Sequence, residues 1–367
     1  MPCPQREGAA PVTRATGENQ HQNVRSPRGG PIGASGVVSA PSPAAGARPS
    51  GVRDCAASGV GDAVALRPVI QALTDVILPV ILVAGLGFVL ARKFTIDQSS
   101  TNKIQLFGLV PALAFSSIMK TSLPMGQVAQ IGAAYLATSL AIGVLAWLAS
   151  RPLARRSRGP VIACAVVGNN GNFGLPIALL ALGQPGLDQA VVIFMYSIVL
   201  MWTVGPALLG SHGGPRQAVL AIVRLPVLWA MALALVLRAT HLTLPVGVNA
   251  AVELVAQACV PMVLLSLGIQ LGTSRKIHLT PPVLIATGLR VFVLPLVAWG
   301  VGRLVGLSGL ALQSLVLACA MPTAVNIAMI ALEYSDDPET VASEVALSTI
   351  LSIGTLAVVV SNLPLFA

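Results

Sequence analysis

The 367-residue sequence is poor in charge, aromatics, histidine and cysteine, and each shortage excludes something. Asp, Glu, Lys and Arg make up 10% of the residues, against roughly a quarter in soluble domains. A water-soluble globule is excluded. Aromatics are only 4% and do not interleave with a basic stripe, so nucleic acid is set aside despite a net charge of +9. The four histidines, His21, His212, His241 and His278, fall outside the apolar runs and lack partners at metal-ligand spacing, so no metal site is expected. Cys164, Cys259 and Cys319 sit inside apolar runs with no C-x-x-C spacing, which fits small packing residues. With no His in any span, a Ser–His or metal constellation for hydrolysis is missing, so an enzyme is not expected and no cofactor is implied. No G-x-x-x-x-G-K-[ST] loop is present, which excludes a nucleotide-driven pump. A membrane sensor without transport would need a soluble output domain, and none is visible.

What the chain does have is apolar length. Hydrophobic residues are 55% of the sequence and mean hydropathy is +0.82. From Val69 onward about ten continuously apolar runs are long enough to cross a bilayer. Their limits are 69–91, 102–120, 128–150, 160–182, 188–210, 219–239, 246–271, 281–303, 311–334 and 341–363. Continuous rather than alternating apolarity excludes a β-barrel. The expected fold is an all-α polytopic membrane protein in the lipid bilayer. Residues 1–67 are rich in Gly, Pro, Ala, Ser and Arg, and they read either as a disordered tail or as a start assigned too far upstream, with Val69 as the alternative start. Basic residues cluster after odd-numbered runs (Arg92, Lys93, Lys103; Arg151, Arg155, Arg156, Arg158; Arg216, Arg224; Arg275, Lys276). By the positive-inside rule those loops are cytoplasmic, and both termini of the protein in the cell membrane face out.

The runs repeat. Leu78-Pro79-Val80 returns as Leu225-Pro226-Val227, and Val110-Pro111 with Ser116 returns as Val260-Pro261 with Ser266. Ala146-Trp147 before Arg151 matches Ala298-Trp299 before Arg303, and Ala163-Cys164-Ala165 matches Ala318-Cys319-Ala320. These identities keep one order at offsets of roughly 150 residues, which gives two five-helix repeats, 68–210 and 218–367. An odd number of spans per repeat makes the two inverted, an arrangement that places a substrate site at broken helices near the midplane. The fourth run holds Gly168-Asn169-Asn170-Gly171-Asn172-Phe173-Gly174-Leu175-Pro176, and the ninth holds Met321-Pro322-Thr323-Ala324-Val325-Asn326. Gly and Pro at those depths predict local unwinding. The freed N–H groups and positive helix ends then favour an anion. Candidate substrate-binding residues are Asn169, Asn170, Asn172, Pro176, Pro322, Thr323 and Asn326.

The N-x-G-x-x-G-x-P pattern (Asn169, Gly171, Gly174, Pro176), together with Pro322, Glu333-Tyr334, Ser348-Thr349 and Ser352, resembles the auxin efflux carrier family. That family holds plant PIN-type carriers and bacterial malate or malonate permeases. The resemblance covers Val69 to the C-terminus and implies ten helices in 5+5 inverted repeats, with broken helices 4 and 9 crossing. It also implies an organic-anion substrate at Asn169, Pro176, Pro322 and Asn326. Only Ser211 to Gln217 separates the halves, as expected for the bacterial permease branch.

Ionisable residues within the runs cost about 2.5 kcal/mol or more at the bilayer centre. Asp75, Glu253 and Arg290 are candidates for a coupling site or a structural ion pair. Lys120, Asp188 and Glu344 fall at span ends, where they are expected to meet water, and Glu333, Asp336, Asp337 and Glu339 form a solvated turn. The expected function is alternating-access transport of a small organic anion, a dicarboxylate or auxin-like carboxylate. A sodium/proton antiporter or sodium-coupled symporter on the same crossed-helix fold is the alternative. The partners this reading allows are a coupling proton or sodium ion and a second copy of the chain in a homodimer.

Overall fold

The computed structural model describes residues 69–121, 123–210, 220, 223–273 and 277–366. The tail assigned to residues 1–67 lies outside them, as does the link at Ser211 to Gln217 expected between the halves. Among the described residues the fold is helical throughout, apart from one isolated antiparallel bridge between Gly168 and Thr323.

The helices in chain order are α1 (Val69–Lys93), α2 (98–120), α3 (Met125–Ala149), α4 (Arg155–Val166) and α5 (Asn170–Leu209). After the link come α6 (Pro226–Ala239), α7 (Val246–Thr273), α8 (Pro281–Leu304), α9 (Gly309–Cys319), α10 (Val325–Tyr334) and α11 (Pro338–Ser361). Six of these are long and apolar enough to cross a membrane: α1, α3, α5, α7, α8 and α11. This is a polytopic helical membrane protein. In a bilayer every backbone polar group must be satisfied within the chain, and helices do this segment by segment. Leu82, Leu86, Leu254 and Leu296 stay exposed along these helices, as lipid-facing side chains do at no cost.

One feature departs from the expected run limits. α2 starts at Gln98, six polar residues before its apolar part, because the Asp97 carboxylate caps it: its oxygens accept from Ser99 N at 3.1 Å and Ser100 N at 3.2 Å. The expected boundary between the fourth run (to 182) and the fifth (from 188) is present: α5 is two helical segments that meet at a break at Gly183 (φ 67°, ψ −165°), just before Pro185. A side chain at that φ would be strained, so glycine makes the break.

Among the described residues four helices contain a π turn: Leu73–Ile77, Gln105–Leu109, Asn170–Gly174 and Leu289–Val293. Each is followed two residues later by a proline: Pro79, Pro111, Pro176 and Pro295. A proline inside a helix has no N–H to donate, and its ring presses on the carbonyl four residues back. One extra residue in the preceding turn moves that carbonyl aside.

The buried side chains form two main clusters. Ile131, Ile142, Val161, Leu294, Leu312 and Leu315 join α3, α4, α8 and α9. Val80, Val110, Val263 and Leu267 join α1, α2 and α7, with Leu175 and Ile198 of α5 packed into the same cluster. Lipid tails are as apolar as these side chains, so packing rather than water exclusion holds such helices together. Small residues let α1 and α7 pack closely. A Cβ on Gly268 would strike the Ala84 carbonyl, and one on Gly87 would strike the Leu265 carbonyl. Gly268 and Gly272 are spaced as in G-x-x-x-G contacts.

Candidate functional site at two paired helix breaks

α4 ends at Val166, and Val167 is extended (φ −90°, ψ 103°). α9 ends at Cys319, and the chain becomes helical again after Ala324 (φ −66°, ψ 131°). The two interruptions lie side by side. Asn169 N donates to Pro322 O at 2.8 Å, and Ala324 N donates to Val167 O at 3.0 Å, closing a short antiparallel bridge around Gly168 and Thr323. Each break therefore satisfies the polar backbone groups that the other exposes.

Four helix ends meet here. The two C-terminal ends, of α4 and α9, leave carbonyls without helical partners, and Arg290 takes them up. Its Nε donates to Met321 O at 2.8 Å, and its Nη1 donates to Ala165 O at 3.2 Å and Val166 O at 3.3 Å. The side chain is 1% exposed. A cation suits the negative ends of two helix dipoles, and a planar guanidinium spans several carbonyls where an ammonium cannot. Gly168 is required beside it, because a Cβ there would occupy the position of Arg290 Nη2. Sequence alone suggested an ion pair or an anion contact for Arg290. Its hydrogen bonds instead go to backbone carbonyls, which no side-chain pattern could reveal.

The two N-terminal ends, at Asn170 and Val325, face a cavity of about 300 Å³. Asn169, Asn172 and Asn326 line it, as do Phe194, Ser197 and Trp202 of α5 and Asn102, Lys103 and Gln105 of α2. Asn169 Oδ1 accepts from Asn172 N at 3.2 Å, while Asn169 Nδ2 is buried without a partner. Lys103 and Glu333 are exposed where the cavity opens. α2 is held by its Asp97 cap. The Ser100 hydroxyl and the backbone N–H groups of Ser99 and Ser100 keep that carboxyl below its ordinary 3.8.

The remaining candidates lie elsewhere. Asn170 donates from Nδ2 to the Tyr135 hydroxyl at 3.0 Å, into the helix behind the break. Pro176 is buried in α5, and Pro322 contributes its carbonyl to the bridge. Thr323 is fully buried and faces Cys164 and Glu344. Asp75 is exposed on α1 and accepts from the Thr74 hydroxyl at 2.9 Å. Glu253 pairs with Lys120 and accepts from Ser116 Oγ at 2.7 Å, beside a second cavity of about 290 Å³.

One expectation is overturned outright. Glu344 does not meet water: it is 0% exposed. Its helix begins at Pro338, capped by Asp337, so Glu344 lies well inside it. The hydropathy limit of 341 hid this, because the polar first turn lowers the local average. Lys103 and Glu333 were also missed as cavity residues. Both are charged and close to helix ends, which resembles an ordinary solvated loop.

Helices that cross a membrane, interrupted in pairs around an internal cavity, define a membrane transporter. The chain belongs to the membrane transport protein family, whose model matches residues 72–360, in agreement with the resemblance to auxin efflux carriers. Similar proteins include an "Uncharacterized transporter" of Methanothermobacter thermautotrophicus, 27% identical over 292 residues, covering 77% of this chain and 96% of that one. A "Putative malonate transporter" of Rhizobium meliloti is 22% identical over 304 residues, covering 77% and 93%. The transporter YfdV of Escherichia coli K12 is 24% identical over 291 residues, covering 75% and 92%. The family and these relatives are transporters, not enzymes.

Proposed function

We propose that this protein is a secondary carrier of small organic anions. In this proposal the ten expected spans form two inverted five-helix repeats whose fourth and ninth members cross at the paired breaks, and alternating access exposes the cavity to each side of the cell membrane in turn. Both termini face out, which puts the open mouth at Lys103 and Glu333 on the cytoplasmic side.

The observation that carries the proposal is the unpartnered Asn169 Nδ2, buried in the wall of a cavity that two helix N-termini also face. A buried donor without an acceptor costs roughly 1–3 kcal/mol. A carboxylate oxygen is the complementary group, and helix N-termini favour the same charge. At ~30 Å³ per water, the cavity holds a carboxylate of a few carbons with some of its hydration. Lys103 attracts anions to the mouth, while Glu333 opposes it there. Anion preference therefore rests on the amides and helix ends deeper in. The name of the Rhizobium relative makes malonate the first ligand to try.

Thermal unfolding of the purified protein against a panel of mono- and dicarboxylates tests this. A ligand that binds only the folded state raises the midpoint, by about 2.7 kcal/mol of stability at a hundredfold excess over Kd. Stabilisation by carboxylates, followed by their uptake into proteoliposomes, is the expected result. Stabilisation by sodium with none by any carboxylate would favour the antiporter.

A further inference from the structure

Beside the paired breaks, among residues that do not line the cavity, lies a buried polar cluster that anion binding does not use. Glu344 of α11, Thr323 of the second break, Cys164 of α4 and Arg290 of α8 are all at most 1% exposed. Glu344 Oε1 lies 2.9 Å from Thr323 Oγ1, and Thr323 Oγ1 lies 2.8 Å from Cys164 O. Glu344 Oε2 is buried with no hydrogen-bond partner, and so is Arg290 Nη2. The two side chains are within electrostatic reach, yet among the described residues they form no ion pair.

The proton count at Thr323 is informative. A hydroxyl donates one hydrogen, and both the Cys164 carbonyl and an ionised Glu344 need to accept one. If Glu344 carries a proton, its O–H donates to Thr323 Oγ1 and the Thr323 O–H donates to Cys164 O, so both contacts are satisfied. If Glu344 is ionised, one of the two is lost, and the carboxylate needs a new donor. Two donors are nearby, the Cys164 thiol beside the carboxyl and the unpartnered Arg290 Nη2. Both protonation states therefore have hydrogen-bond partners at hand, an arrangement that a purely structural buried carboxylic acid does not require.

We propose that Glu344 is an exchangeable proton site that couples anion movement to a proton gradient. On release, the Glu344 O–H bond breaks, the proton passes to water on the side then open, and the carboxylate turns to Arg290. Because Arg290 holds the carbonyls of both half-helices, its re-aiming acts on the crossing itself. The groups facing Glu344 are Thr323, Cys164 and Arg290, and Arg290 in turn has Tyr135 of α3 and Cys319 of α9 near it. The coupling half of the proposal depends on carrier function, whereas the proton-binding half can be read without any substrate.

Acid-minus-base infrared difference spectra of the full chain in lipid nanodiscs test the site directly. A protonated-carboxyl C=O band is expected that Glu344→Gln removes, Glu344→Asp shifts and Glu253→Gln leaves in place. Spectra unchanged by both Glu344 variants overturn the proposal, whatever the protein carries. Proteoliposome uptake of radiolabelled malonate tests coupling. An inward gradient of one pH unit is expected to raise accumulation up to about tenfold for one proton per anion, and Glu344→Gln loses that response. A Glu344→Gln protein that still follows the gradient overturns the coupling. A titrating band without malonate uptake supports the proton site and counts against the substrate instead.

Discussion

The contact between Gly168 and Arg290 can be tested by a double-mutant cycle. Gly168→Ala places a methyl group where Arg290 Nη2 now sits. The guanidinium cannot retreat freely, because Nε and Nη1 are fixed to Met321, Ala165 and Val166. Overpacking of this kind costs about 1–3 kcal/mol, and each charge-assisted bond broken in escaping the clash adds roughly 1.5–3 kcal/mol. Losing one bond gives a total of about 2.5–6 kcal/mol, a large part of the ~5–15 kcal/mol that holds a domain folded. Arg290→Met is also destabilising, since it leaves three carbonyls short of a donor. It removes the obstacle, however, and Gly168→Ala made in that background is expected to cost less than ~1 kcal/mol. The expected coupling is therefore at least ~1.5 kcal/mol. Thermal unfolding of the four proteins in one detergent reads it: the methyl group lowers the midpoint by several degrees with Arg290 present and by little without it. Equal losses in both backgrounds would refute the guanidinium clamp.

Three further outcomes are expected. Asn169→Ala and Asn326→Ala abolish carboxylate transport and the ligand-induced rise in unfolding midpoint, while expression and the ligand-free midpoint stay near wild type; full transport in both variants removes the site. Gly268→Ala drives a Cβ into the Ala84 carbonyl, which belongs to backbone and cannot swing aside, so a stability loss of roughly 1–3 kcal/mol is expected, and an unchanged midpoint would show that α1 and α7 part easily. The Asp97 cap is sensitive to acid. Its folded pKa is depressed by Ser100 and Ser99, so its support for α2 is complete above the ordinary 3.8 and lost as pH falls through the lower folded value. Protection factors for hydrogen exchange in the first turn of α2, taken relative to the intrinsic rate at each pH, are expected to fall over that acid range in wild type and to stay level in Asp97→Asn.

The breaks were legible because Gly, Pro and Asn inside an apolar run have few other uses, and their recurrence at the same depth in a second run is hard to produce by chance. The seam between α1 and α7 was not read, although Gly268 and Gly272 carry its spacing. Which face of each break meets the cavity could not be read. Asn169 and Asn170 are neighbours of one residue type, yet the first lines the cavity and the second points to Tyr135. The turn of the backbone decides between them, and Asn169 sits at φ −80°, ψ 56°, outside the regular regions. Arg290 was conspicuous as a charge within an apolar run, but its partners are main-chain oxygens released by distant breaks. Glu344 was lost to averaging, since hydropathy places the edge of a span where polarity ends and a capped polar turn extends the helix beyond that edge.

The π turn at Gln105–Leu109 separates the end of α2 that carries Asn102 and Lys103 from the end that carries Ser116 and Lys120. One surplus residue in a helix rotates everything beyond it by about 100°. The two ends line different cavities, so that single residue sets the phase between one vestibule and the other. Shortening the turn by one residue would keep every side chain in the protein's composition that matters for charge, yet swing Lys103 out of line with the chamber it now guards.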